Sequence, residues 1–211
     1  MAGMLWKDIC YMKKMKKTLI YIILLFIMLS AAGIIDKQYT LFYLTIFFCI
    51  NLSTLPFSYD SYSHWSEYQY ALPVSKKTAV YSRYLFGLLI FGCCFVFQAL
   101  SAIILSLFFQ TEIGNTTDFI FIQFSILLFV PLLQAILFPI LYRFGSEKGR
   151  LYMVGIIIIL FSIAGFLSSI METEHFSIRP LSLFTTMFLL TAVLYAFSLF
   201  LSIKIEQKKQ K

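Results

Sequence analysis

Charged residues are scarce in this sequence of 211 residues: 13% of them are charged, 60% are hydrophobic, and the mean hydropathy is +0.86. Soluble domains are about 25% charged. A chain of this length cannot bury so much apolar surface in its own core, so the excess is expected to face lipid. The scarcity of charge therefore argues against a soluble enzyme, a nucleic-acid-binding module and a disordered protein.

The chain also lacks the common signatures of catalysis and cofactor binding. It contains no GxxxxGK[ST] sequence, so it is not expected to hold ATP in a P-loop. The 2 histidines fall on opposite sides of the predicted membrane, and the 4 cysteines have neither a zinc-type spacing nor the density of a disulfide scaffold. We therefore predict no enzyme, no catalytic residue, no metal and no cofactor in this chain.

Asp, Glu, Lys, Arg and His are absent from six apolar stretches, which we place at residues 18–35, 39–57, 84–109, 119–142, 151–171 and 181–203. As α-helices they would reach roughly 27–39 Å, enough to cross a hydrocarbon core of about 30 Å. Within each stretch, apolar residues would cover all sides of the helix and not a single stripe, as expected for helices in lipid or inside a bundle. The sequence predicts an all-α membrane protein with six transmembrane helices in a single domain, residues 1–211.

The missing intramembrane charges also constrain the mechanism. Proton- and ion-coupled carriers keep ionisable groups inside the membrane, because these groups carry the proton or the coupling ion. Their absence argues against a secondary transporter or a proton pump. If this protein transports a substrate, the energy is expected to come from another subunit.

Basic residues fall mainly into alternate connections. With the N-terminus inside, all but two of the 17 basic residues, Lys37 and Arg179, lie in inner segments. Lysine and arginine set the orientation of membrane proteins, so both termini are predicted to be cytoplasmic. The same distribution accounts for the net charge of +7 without a nucleic acid partner.

Residues 1–17 alternate apolar side chains with lysines and Asp8, a pattern that fits an amphipathic helix at the inner membrane interface. Trp6 would lie at headgroup level, with Lys7 and Asp8 completing an interfacial anchor. The alternative is a lysine-rich tail that only sets orientation. Together with the apolar run that follows and Ser30-Ala31-Ala32, this basic region also resembles a cleavable signal peptide, but the apolar run continues to residue 35, which suits a span better.

Polar side chains inside the predicted spans are few and uncharged. The amides either hydrogen-bond between helices or line a path through the bundle: Asn51, Gln98, Gln123 and Gln134. Pro131 and Pro139 are expected to bend the fourth span.

The largest predicted inner connection, residues 58–83, is rich in aromatic residues. Residues 63–72 fit a short helix, Pro73 interrupts the chain, and Ser75 is a suitable N-cap for the helix that enters the third span. An exposed aromatic face beside a rigid turn suits docking to a protein partner. An interfacial helix anchored by tryptophan and tyrosine fits the same residues equally well.

This connection carries a motif that resembles small bacterial ABC-2-type transporter permeases. Trp65 stands eight positions before Pro73 within Leu72-Pro73-Val74-Ser75-Lys76, and Val80 and Arg83-Tyr84 follow. In that family the motif lies between the second and third spans, as it does here.

Two shorter pieces extend the resemblance. Leu5-Trp6-Lys7-Asp8-Ile9 fits the family's N-terminal opening, and Tyr59-Asp60 fits an aromatic-Asp pair upstream of the motif. Ser61 and Ser66 depart from the pattern, because charged residues often follow the Asp and the Trp in that family. The connection is therefore less charged than usual, which leaves the identity of its partner less defined.

The resemblance implies the multi-pass permease subunit of an ATP-driven exporter in the bacterial cell membrane. Its partners would be the surrounding lipid, a second permease chain, identical or related, and a separate P-loop ATPase that holds ATP and Mg. The connection would be a coupling helix that docks on this ATPase, through Trp65, Tyr70, Leu72, Pro73, Val74, Ser75, Lys76 and Lys77. An apolar bundle suits an amphipathic or hydrophobic cargo, such as a peptide or a lipid-like molecule. The alternative is a membrane scaffold or sensor subunit that transports nothing.

Overall fold

The structure is a computed structural model that describes residues 2–31, 37–65, 68, 75–109, 124, 127–173 and 180–208. These residues form helices and contain no β-strand, which agrees with the predicted all-α class. In chain order the helices are α1 (Ala2–Lys14), α2 (Lys16–Ala31), α3 (Lys37–Tyr62), α4 (Lys76–Phe109), α5 (Phe129–Thr173) and α6 (Pro180–Lys208).

Three segments of these helices are long and apolar enough to cross a membrane: Lys76–Leu100 of α4, Phe129–Gly149 of α5 and Phe184–Lys208 of α6. They overlap the third, fourth and sixth predicted spans. The helix α2 has 16 residues. Its rise of about 24 Å is shorter than the hydrocarbon core, but the predicted first span continues into residues 32–35, which lie outside the described part of the chain. The count of six spans stays a prediction.

The start of α4 follows from a local capping interaction. Ser75 Oγ accepts a hydrogen bond from the backbone N–H of Thr78 at 3.2 Å, and it shares a second one with Thr78 Oγ1 at 2.7 Å. A serine at this position satisfies one of the backbone donors that the first helical turn leaves free. The predicted N-cap is therefore confirmed.

The long helix α5 is interrupted at Gly145, whose φ of 79° and ψ of 177° are not helical. This residue lies between the fourth and fifth predicted spans and separates residues 129–144 from residues 146–173. A side chain at this positive φ would be strained, so glycine suits the break. Pro131 lies in the first turn and Pro139 inside the helix; the bending expected at these two prolines stays a prediction.

The helix α4 lies between the other packed helices. One apolar cluster joins Phe86 and Ile90 of α4 to α3 and α5, through Cys49, Ile50, Leu133 and Leu137. A second cluster joins α4 to α5 and α6, through Val80, Tyr84, Phe138 and Tyr195. The opposite side of α4 leaves Leu88, Leu89 and Val96 exposed, as expected for a surface that meets lipid. The position of α4 therefore depends on neighbours on several sides.

The two glycines of α4 offer a test of this packing. A Cβ at Gly87 would lie 3.1 Å from Phe138 Cζ and 3.2 Å from Gln134 Oε1, whereas a Cβ at Gly92 meets nothing within 4 Å. We expect Gly87→Leu to lower the free energy of unfolding by about 1–3 kcal/mol through overpacking. Gly92→Leu, which points outward, should cost much less. Thermal unfolding of both variants in detergent checks the difference, and equal losses would contradict the close approach of α4 and α5.

Candidate functional site

Four charged side chains from three helices meet at the end of the bundle where α4 begins. Arg83 of α4 donates from Nη1 to Asp8 Oδ1 of α1 at 2.7 Å, and from Nη2 to Asp60 Oδ2 of α3. Lys7 Nζ of α1 donates to the other oxygen of Asp60 at 2.7 Å. We call Lys7, Asp8, Asp60 and Arg83 the ionic cluster. It links α1, the last turns of α3 and the first turns of α4.

The helical geometry of α1 explains how this cluster forms. Leu5 and Met12 of α1 pack against the apolar core, and Asp8 lies between them on the same side of the helix, at three- and four-residue spacings. The apolar contacts thus direct the Asp8 carboxylate inward, where it is only 1% exposed. Lys7 is next to it at the edge of the buried side, half-buried and within reach of Asp60.

Burial opposes ionisation of Asp8 and Lys7. It raises the pKa of Asp8 above the usual range of a carboxyl, although Arg83 and Lys7 act in the other direction. Burial, together with the like charge of Arg83, lowers the pKa of Lys7, although Asp60 opposes this shift. Within the described residues, Asp8 Oδ2 has no hydrogen-bond partner. Buried ion pairs contribute little net stability, but loss of one partner leaves an uncompensated charge.

Aromatic rings connect the cluster to Trp65, which directly precedes residues 66–74, the stretch that we call the predicted coupling segment. Lys7 Nζ lies 4.1 Å from the centroid of the Trp65 ring, and Arg83 Cζ lies 5.3 Å from that of Phe57. Tyr11 of α1 stacks on Tyr59 of α3 with centroids 4.8 Å apart. Cations over aromatic faces at these distances are attracted by the ring quadrupole. Trp65 is therefore held against α1, just before residues 66–74.

A cavity of about 200 Å³ lies beside the ionic cluster. Its walls come from five helices, because Ser146 at the break of α5 and Glu206 of α6 face it together with the cluster residues of α1, α3 and α4. Pockets for small molecules are usually about 300–1,000 Å³. This cavity is smaller, and we interpret it as the point where the ends of the helices meet.

The residue that follows Arg83 makes a separate polar contact with α6. Tyr84 Oη hydrogen-bonds Ser198 Oγ at 2.6 Å and Ser202 Oγ at 2.7 Å, and Tyr195 Oη donates to the backbone oxygen of Tyr84 at 2.8 Å. Such hydrogen bonds between membrane helices average about 0.6 kcal/mol each. Arg83 and Tyr84 thus bind different neighbours, α1 and α3 in one case and α6 in the other.

The predicted coupling residues are only partly described. Trp65 is half-buried against Lys7, Ser75 caps α4, and Lys77 is exposed. Lys76 Nζ donates to the backbone oxygen of Glu206 in α6 at 3.1 Å. Four predicted docking residues lie outside the described residues: Tyr70, Leu72, Pro73 and Val74. The docking role, and the short helix predicted for residues 63–72, stay predictions.

The predicted anchor residues separate into two groups. Trp6 is 63% exposed on the outside of α1, whereas Lys7 and Asp8 belong to the ionic cluster. The structure thus brings Lys7 and Asp8, expected at the membrane surface, together with Trp65, expected in the coupling loop. The anchor role of Trp6 stays a prediction.

The amides predicted as contacts within the bundle lie in different surroundings. Gln134 Nε2 of α5 donates to Ser53 Oγ of α3 at 2.8 Å, whereas Asn51 Nδ2 donates to the Phe47 oxygen of its own helix at 2.9 Å. Gln98 is buried. Gln123 lies outside the described residues. Whether any of them lines a path stays a prediction.

Sequence reasoning gave no role to Asp60 and Arg83. A signal was present, because each of the three motif pieces quoted for the family resemblance contains a charged member of the cluster: Lys7-Asp8, Asp60 and Arg83. Charged residues beside membrane-spanning stretches are expected to pair with other polar groups. The sequence does not show which of these residues pair with one another, because they lie far apart in the chain.

The apolar helices and the charges gathered at one end of the bundle define an all-helical, multi-pass membrane protein. Residues 3–207 match the sequence model of the ABC-2 family transporter proteins, and the chain belongs to this family. No curated protein and no solved structure matches the chain. Membership makes the chain a membrane permease subunit of an ABC transporter and implies association with an ABC ATPase subunit. The resemblance stated from the motifs is confirmed.

The ionic cluster predicts a large difference between two arginines. Arg83→Met would leave the buried Asp8 and the half-buried Asp60 without their guanidinium partner, and we expect a loss of about 3–5 kcal/mol in the free energy of unfolding. Arg143→Met removes an exposed arginine and should change stability by no more than about 0.5 kcal/mol. Chemical unfolding in detergent, followed by circular dichroism, measures both. Equal effects would contradict the cluster.

The raised pKa of Asp8 predicts a pH effect. The stability that its protonated form contributes is present below the ordinary carboxyl pKa of 3.8, and it is lost as pH rises through the higher pKa of the folded state. Asp8→Asn has no titrating group at this position. The stability of the wild type minus that of Asp8→Asn should therefore fall with rising pH in this window. Melting temperatures of both proteins across the acidic pH range test this. If the stability difference stayed level or rose with pH, burial would not be the dominant influence on the pKa of Asp8.

Proposed function

We propose that this chain is the membrane-spanning permease of an ATP-driven exporter in the bacterial plasma membrane. It would have six transmembrane helices with both termini in the cytoplasm, and it would work as two permease chains with a separate P-loop ATPase. The cargo would be an amphipathic or hydrophobic molecule, such as a peptide or a lipid-like compound, moved out of the cell.

The observation that carries this proposal is the position of the ionic cluster relative to the predicted coupling segment. Asp60 and Trp65 precede residues 66–74, and Ser75 and Arg83 follow them. The Asp60–Arg83 ion pair joins the two helices that border the segment, and Lys7 connects both Asp60 and Trp65 to α1. A partner that displaced residues 66–74 would therefore move α1, α3 and α4 together.

The division of labour between subunits rests on the residue inventory. The chain has no P-loop sequence, and its six apolar stretches contain no Asp, Glu, Lys, Arg or His. It therefore has neither the motif for ATP hydrolysis nor the buried charges of an ion-coupled carrier. On this proposal ATP and Mg bind the partner ATPase, and closure of two ATPase subunits switches the bundle between inward- and outward-facing states.

The proposed cargo class rests on the mild polarity of the bundle. Asn51, Gln98 and Gln134 are uncharged, and the hydroxyl groups around Tyr84 bond to one another. A path lined by such groups would favour a molecule with a large apolar part, because it offers no charge to replace the water around a strongly polar one. The outward direction of transport rests on the family resemblance.

The proposal is tested by the double variant Trp65→Ala, Pro73→Ala. If these residues anchor the ATPase, we expect association to weaken by about 30-fold or more, the effect of losing one interface hot spot. The measurement is the stoichiometry of P-loop ATPase that copurifies with the permease from native membranes, together with its ATP hydrolysis.

A matched control changes Glu147→Ala and Lys148→Ala, two exposed residues of α5 just past the break at Gly145, which the proposed topology also places inside. This control should retain the ATPase. Normal ATPase binding by the Trp65, Pro73 variant would contradict the docking role. A preparation free of ATPase, from membranes that contain one, would favour a scaffold or sensor subunit.

A further inference from the structure

The N-terminal helix α1 carries its charges on two different sides. Asp8, the only acidic residue among its 13 residues, is turned inward to Arg83 and is 1% exposed. On the outside, Trp6 is 63% exposed and Ile9 is 37% exposed. Lys13 of α1 and Lys17, near the start of α2, are exposed as well. We call Trp6, Ile9, Lys13 and Lys17 the basic–aromatic face.

The spacing of these residues places them together. Positions 6, 9 and 13 follow one another at intervals of three and four, which is the repeat of one side of a helix, and Lys17 follows just past the turn at Met15 that ends α1. Lys13 Nζ lies 5.7 Å from the centroid of the Trp6 ring. The lysines near the end of α1 also suit the negative end of its helix dipole. The face is thus aromatic at one end, basic at the other, and free of acidic residues.

We propose that the basic–aromatic face binds the headgroups of anionic phospholipids in the inner leaflet. The proposal rests on the topology given under the proposed function, which puts α1 at the cytoplasmic interface. Indole rings settle at headgroup depth, and lysines near an anionic surface strengthen binding by about fivefold each. The inward orientation of Asp8 favours this occupant, because it removes the one charge on α1 that would repel such lipids.

The other side of α1 gives this binding a consequence for coupling. Lys7 and Asp8 pair with Asp60 and Arg83, which border the predicted coupling segment. A lipid-bound α1 is fixed in the plane of the membrane, and it restrains those two residues through the ionic cluster. Anionic lipid would thereby stabilise the arrangement in which Trp65 is held against Lys7.

The test uses the full chain in phosphatidylcholine vesicles, with Trp65→Phe so that Trp6 is the fluorescent reporter. Brominated phosphatidylglycerol or brominated phosphatidylcholine is added in increasing proportion, and quenching of Trp6 reports direct contact. We expect brominated phosphatidylglycerol to reach half-quenching at a mole fraction lower by about fivefold or more. Added salt should reduce this preference, because it screens the charges.

Two variants with the same net charge distinguish lipid binding at the basic–aromatic face from a general attraction of the positively charged protein to anionic lipid. Lys13→Gln with Lys17→Gln should remove the preference for phosphatidylglycerol. Lys204→Gln with Lys208→Gln removes two exposed lysines of α6 and should leave the preference intact. Equal quenching by both lipids in the parent protein, or equal losses in the two variants, would overturn the proposal.

The assay contains neither ATP nor ATPase. Its failure, in a protein that still copurifies with an ATPase, would therefore reject the lipid site alone and leave the proposed function standing.

Discussion

A single guanidinium group organises the end of the bundle at which α4 begins. Arg83 of α4 binds Asp8 of α1 through one nitrogen and Asp60 of α3 through another. The planar fork of arginine suits this role, because it presents several donors in fixed directions, which a lysine ammonium does not. The N-terminal helix α1 and the consecutive helices α3 and α4 are thereby brought to one point. The position of α1, and the contact between Lys7 and Trp65, follow from this arrangement.

The energetic character of the cluster favours a positioning role over a stabilising one. Taking charges out of water costs several kcal/mol for each ion, and apolar replacements of similar size are often neutral or stabilising. Burial raises the pKa of Asp8, although Arg83 and Lys7 act in the other direction. What the ion pairs provide is a defined geometry, because each charge is tolerated only while its partners are in place. Ion pairs of fixed geometry suit a region that transmits the motion of a partner to several helices.

The fold class was predictable from the sequence, whereas the site was not. Long charge-free stretches indicate membrane helices by length and composition alone, and the N-cap at Ser75 depends on residues close in the chain. The ionic cluster depends on pairs such as Asp8 and Arg83, 75 residues apart, and no periodicity reveals such a contact. The alternation in residues 1–17 placed Asp8 at the membrane surface, since composition does not show which side of an amphipathic helix meets protein. The motif pieces identified the right residues without showing that they meet.

The most direct test of this account is a double-mutant cycle between Asp60 and Arg83, the pair that joins α3 to α4 across residues 66–74. Asp60→Asn, Arg83→Gln and the double variant are compared with the wild type by chemical unfolding in detergent. Because the two side chains form one partly buried ion pair, the account predicts an interaction energy of about 1–3 kcal/mol. Effects that add to within about 0.3–0.5 kcal/mol, the behaviour of independent sites, would show that Asp60 and Arg83 do not act together and would contradict the account.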